Sequence, residues 1–78
     1  RSVAFAVVVV MLAACSAEKK AEKAFKYGKY QSAIEAYKAI LARDPNNGRA
    51  NYYLAESYRK SNRIRESIPY YAKAGGRG

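Results

Sequence analysis

Cys15 is the only thiol in the sequence, and it sits at the seam of "LAACSAEKK", where small apolar residues give way to charges. Alone it cannot close an internal disulfide, and with no histidine in the chain there is no set of neighbouring ligands for a zinc ion. Histidine is also the usual general base near neutral pH. The six carboxylates, Glu18, Glu22, Glu35, Asp44, Glu56 and Glu66, are scattered among cations instead of paired in an apolar setting. The sequence therefore predicts a non-enzymatic chain with no metal site and no small-molecule substrate. Cys15 itself reads in two ways: as the tail of a hydrophobic segment, or as the first residue of the working protein.

Residues 3–14, VAFAVVVVMLAA, carry no charge and follow Arg1. A cation, a short apolar core and small residues in that order predict a signal peptide over 1–14. A membrane-spanning helix needs about 20 apolar residues, so the run is short for crossing a bilayer. Leu12-Ala13-Ala14-Cys15 resembles the lipobox of bacterial lipoproteins. The resemblance implies cleavage before Cys15, a diacylglycerol joined to its sulfur through a thioether, and acylation of the new amino group. Residues 15–16 would then be the lipid-attachment site and start of the mature chain, and the covalent lipid would be its sole cofactor. At about 0.8 kcal/mol per buried methylene, more than one acyl chain gives lasting membrane attachment. Ser16 after the cysteine, in place of aspartate, implies sorting to the outer membrane on its periplasmic face. The alternative is Cys15 as a small hydrophobe closing a signal-anchor helix.

The helical elements come from the rest of the chain. Shifted by 34 residues, the sequence aligns Ala21 with Ala55, Glu22 with Glu56, Lys26 with Lys60, Ile34 with Ile68 and Tyr37 with Tyr71. A first helix is expected over Ala17–Tyr27, rich in Ala, Glu and Lys and stopped at Gly28, with Asn62 at the same place in the second copy. Tyr30, Ala33, Ile34, Tyr37, Ile40 and Leu41 then form one apolar helical stripe, and Ala21 and Ala33 are small enough to let a partner helix cross closely. Pro45 and Asn46-Asn47-Gly48 supply a turn. Leu54, Ala55, Tyr58, Ile64, Ser67, Ile68, Tyr71 and Ala74 repeat the pattern, and Pro69 is expected near the edge of a first helical turn, where its cost is modest.

A 34-residue helix-turn-helix period resembles the tetratricopeptide repeat. The expected fold is all-α: tandem repeats at 17–47, with a shortened first helix, and at 48–74, truncated, after a signal-peptide helix and before a disordered tail at 75–78. The pattern departs from that family at Ala17 and Asn51, where tryptophan is often found, at Ala24, which aligns with Tyr58, and at Ile40, where alanine is usual. Two repeats are fewer than this architecture needs, so the sequence reads as a fragment of a longer protein. Residues 49–74 are similar to repeat segments of outer-membrane lipoproteins of Bacteroidota that carry an OmpA-like domain and are linked to type IX secretion.

The resemblance implies protein partners in a cell-envelope complex and a groove lined by the first helix of each repeat. Arg49, Tyr52, Glu56, Arg59 and Lys60 are expected there from the second copy, with Glu18, Glu22, Phe25 and Lys26 from the first; as plain surface, the same residues would only be solvated. The formal charge of +9 is the basis of the alternative, a basic module for nucleic acid or an anionic surface. For Lys19, Lys20, Lys23 and for Arg59, Lys60, Arg63, Arg65, contact with lipid headgroups or simple solubility is favoured, and no nucleic-acid partner is expected.

Overall fold

The computed structural model describes residues 16–75. The expected signal peptide, the lipid site at Cys15 and the last three residues lie outside them. The described chain is four helices, α1 over 16–26, α2 over Tyr30–Arg43, α3 over Gly48–Lys60 and α4 over Ile64–Gly75, with no strand among the described residues. They form two antiparallel hairpins, α1–α2 and α3–α4, and α3 packs against both α2 and α4. This is the expected all-α architecture, with α4 running one residue into the expected tail.

One device closes both hairpins. Gly28 takes a positive φ of 77°, its N–H donates to the Phe25 carbonyl at 3.0 Å, and the Lys29 N–H donates to the Ala24 carbonyl at 2.8 Å. Asn62 takes φ 69°, its N–H donates to the Arg59 carbonyl at 3.0 Å, and the Arg63 N–H donates to the Tyr58 carbonyl at 2.8 Å. These are the paired bonds of a Schellman cap, which needs a left-handed residue just past the helix. Glycine adopts that conformation at no steric cost, and asparagine tolerates it better than most residues. The cap places Tyr27 in the turn, one position beyond the end of α1.

The hairpins are joined by a turn held by asparagines. Asp44, ahead of Pro45, leaves the helical region at φ −137°. Asn47 caps α3, its Oδ1 accepting the Ala50 N–H at 3.0 Å while its Nδ2 donates to Glu18 Oε2 at 3.2 Å. Asn51 is buried, and its Nδ2 donates to the carbonyls of Pro45 and Asn47. A small amide that ties down the turn thus stands where the resemblance to the tetratricopeptide repeat would lead a tryptophan to be expected.

Ala21, Ala33, Ile34, Tyr37, Ile40, Ala50, Leu54 and Tyr58 form the core. Ala21 and Ala33 are fully buried, as expected of small residues at a close crossing. The second copy departs from expectation. Ile64 and Ile68, placed in the core by the repeat register, are 53% and 60% exposed. Ser67 is the buried residue of α4, whose main packing among the described residues is against α3, with Tyr70 reaching the core from the side. Pro69 is the sixth residue of α4, five past Ile64 and just beyond the first turn, where it leaves the Arg65 carbonyl without its helical donor.

Candidate functional site

Between α1 and α3 runs an open groove of about 240 Å³ lined by Glu22, Phe25, Lys26, Tyr37, Arg49 and Tyr53. Helical spacing puts Glu22, Phe25 and Lys26 on one face of α1 and Arg49 and Tyr53 on one face of α3. Arg49 donates to Glu22 Oε2 at 2.7 Å across the groove, and its guanidinium stands 5.5 Å from the Tyr53 ring centre. The Phe25 ring meets Tyr53 edge-on at 5.2 Å and Tyr30 at 5.8 Å, while Tyr37 stacks on Tyr53 at 6.0 Å. The floor is therefore aromatic and the rim charged. The hydrogen bond to Glu22 raises the pKa of Arg49 further. Burial, with Glu22 second, pushes the Tyr37 hydroxyl up to about 12, and that hydroxyl has no hydrogen-bond partner.

A second cluster lies further along, between α3 and α4. Tyr71 donates its hydroxyl proton to Glu56 Oε2 and accepts from Arg59 Nε at 3.1 Å, while Arg59 also donates to Glu56 Oε1 at 2.8 Å. The Arg59 hydrogen bond holds the Glu56 carboxyl below the ordinary glutamate value, against the opposing effect of burial. Glu56 in turn raises Arg59, and burial followed by the hydrogen bond to Glu56 raises Tyr71. Tyr52 joins the clusters, its ring edge-on to Tyr53 at 5.1 Å and to Tyr71 at 6.0 Å.

The nine residues expected in one groove are thus distributed. Glu22, Phe25, Lys26 and Arg49 share the α1–α3 groove, and Tyr52, Glu56 and Arg59 belong to the α3–α4 cluster. Lys60 follows on the exposed last turn of α3, where its charge helps keep Glu56 ionised. Glu18 is turned to the Asn47 side chain and lines a separate cleft with Ala17, Ile40 and Arg43. Among the described residues no group of histidines, cysteines and carboxylates is placed to hold a metal ion.

The 34-residue identity of turn geometry and register is matched by a family model of the tetratricopeptide repeat over residues 24–75. The chain belongs to the tetratricopeptide-repeat family. No match to it is found among the curated proteins. Tetratricopeptide repeats generally mediate protein–protein interaction and are generally non-enzymatic. In tetratricopeptide terms the groove is the surface shared by the first helices of successive repeats. Sequence reasoning missed that Tyr37 and Tyr53 line it and that Tyr71 completes the second cluster. Tyr37 and Tyr71 are legible in the sequence only as members of an apolar stripe. The signal was available, since Arg49, Tyr53 and Glu56 fall at i, i+4 and i+7 on one helical face.

Proposed function

We propose that this tetratricopeptide chain is a scaffold of the bacterial cell envelope, tethered by a lipid on Cys15 to the periplasmic face of the outer membrane and holding a protein partner of an assembly or secretion complex. The observation that carries the partner-binding part is the α1–α3 groove, in which the exposed Arg49–Glu22 pair flanks an aromatic floor of Phe25 and Tyr53. Aromatic anchors with arginine at the rim are the composition of energetically important contact patches. Such a groove suits a peptide or helix bringing one apolar side chain for the floor and charges of both signs for the rim. Support for the tether is the Leu12-Ala13-Ala14-Cys15 pattern at the end of an uncharged run. Support for the envelope setting is the likeness of residues 49–74 to repeats of Bacteroidota outer-membrane lipoproteins.

Two experiments test the two parts. Intact mass after membrane extraction is expected to show a chain beginning at Cys15 with acyl mass, and an unmodified thiol still preceded by residues 1–14 would refute the anchor. For the groove, Arg49→Glu is expected to release envelope proteins that cross-link to the wild type while leaving the melting temperature unchanged, because the Arg49–Glu22 pair is largely exposed. Cross-links unaffected by both Arg49→Glu and Phe25→Ala would place the partner elsewhere.

A further inference from the structure

The repeat period allows the outer face of α1 to be compared with its counterpart on α3. On α3, Ala50, Tyr53, Leu54 and Ser57 turn toward the first hairpin: Ala50 and Leu54 enter the core, Ser57 is buried, and the Tyr53 ring meets Phe25 and Tyr37. Thirty-four residues earlier the same places hold Ser16, Lys19, Lys20 and Lys23, all exposed. Lys20 at the position of Leu54 makes this face unfit to receive another apolar hairpin, since an ammonium would be buried without a partner. Tyr27, 66% exposed, continues the same face at i+4 from Lys23 and i+7 from Lys20. No ion pair among the described residues engages these lysines, because Glu22 is held by Arg49 and Glu18 accepts from Asn47. The basic group at the α3–α4 turn differs. Arg59 is paired with Glu56, and Arg63 is paired with Glu66 while lying 4.8 Å from the Tyr58 ring centre, which leaves Lys60 and Arg65 as two exposed cations on different helices.

We propose that Lys19, Lys20 and Lys23, with Tyr27, form a contact face for anionic lipid headgroups that lays α1 against a membrane surface and leaves α4 at the far end of the stack. A lipid surface suits this face better than nucleic acid because the lysines follow directly on the uncharged run 3–14, and because an exposed tyrosine suits a boundary between apolar and aqueous phases. The attraction does not depend on a lipid at Cys15, so it survives failure of the anchor. It is tested by cosedimentation of the full chain with vesicles of phosphatidylcholine alone and of phosphatidylcholine mixed with phosphatidylglycerol. Binding to neutral vesicles reports the apolar run or an acyl anchor, and the excess on anionic vesicles reports the lysines. The excess is expected to shrink with added salt and to fall about fivefold per lysine removed, or about a hundredfold in Lys19→Gln/Lys20→Gln/Lys23→Gln. Arginine at the same three positions should keep it, and Lys60→Gln/Arg65→Gln should leave it unchanged. Far-UV circular dichroism confirms that each variant is folded. Absence of an anionic excess, or an excess that persists in the triple glutamine variant, overturns the proposal. Preferential binding of duplex DNA at equal phosphate concentration does so too.

Discussion

Ile34 and Ile68 stand 34 residues apart at the same place in the two repeats, yet Ile34 is 2% exposed and Ile68 is 60% exposed. The difference lies in what covers each helix. α2 is covered by α3, whereas among the described residues the face of α4 that carries Ile68 is left exposed. Tyr37 and Tyr71 show the same contrast, the first buried with an unpartnered hydroxyl, the second half-buried and engaged by Glu56 and Arg59. A repeat therefore specifies the backbone of each hairpin locally, but each residue's energetic role is set by the neighbouring hairpin.

The largest expected effect follows from that contrast. Ile34→Ala should cost about 2–5 kcal/mol, enough to unfold much of so small a domain, whereas Ile68→Ala should change stability by no more than about 0.5 kcal/mol. Urea unfolding followed by circular dichroism measures both. Equal losses would mean that the outer face of α4 is covered after all. The two caps sharpen the comparison at the next level. Gly28→Ala should cost about 1–2 kcal/mol, a backbone effect alone, since an added Cβ would meet no atom within 4 Å. Asn62→Gly should leave stability within about 1 kcal/mol of the wild type, because the native residue already tolerates positive φ. Asn47→Ala, removing the cap between the hairpins, should cost about 1 kcal/mol in the same assay.

The smallest effects are in pH. Arg59 holds the Glu56 carboxyl below its ordinary 4.5, so the stability Glu56 contributes is complete above that value and lost as pH falls through the folded-state value. Tyr37 behaves oppositely. Burial raises it from 10.0 to about 12, so its contribution is complete below pH 10.0 and lost as pH rises toward 12. Acid should loosen α4 first, and alkali should open the core between the hairpins. Acid melts of Glu56→Gln and alkaline melts of Tyr37→Phe, followed by near-UV circular dichroism, check the two assignments. A Glu56→Gln variant with the wild type's acid sensitivity would remove Glu56 from the account.

Much of the fold was legible because its signals are local. The left-handed residue demanded at Gly28 and Asn62, the stop before Pro45 and the apolar stripe of α2 each act within a few residues of where they stand. What escaped the sequence depends on neighbours in space. Burial of Ile68 follows from Ile34 only if a further helix covers α4 as α3 covers α2. The candidate groove was half legible. Charges on the first helices were found by register, but Glu18 was drawn to a cap and Glu56 to Tyr71, because carboxylates take the donors within reach. Tyr37 reads in the sequence as packing alone, since an aromatic ring at a hairpin interface serves both purposes.

The central claim is that the two hairpins are one stacked body, whose contact creates the groove. Nuclear Overhauser effects between the Phe25 and Tyr53 rings test it most directly, since the rings belong to different hairpins and their centres lie 5.2 Å apart. Strong cross-peaks between these rings are predicted for the full chain. Helical signals throughout 16–75 with no Phe25–Tyr53 cross-peak would mean two hairpins that do not stack, and would contradict the account.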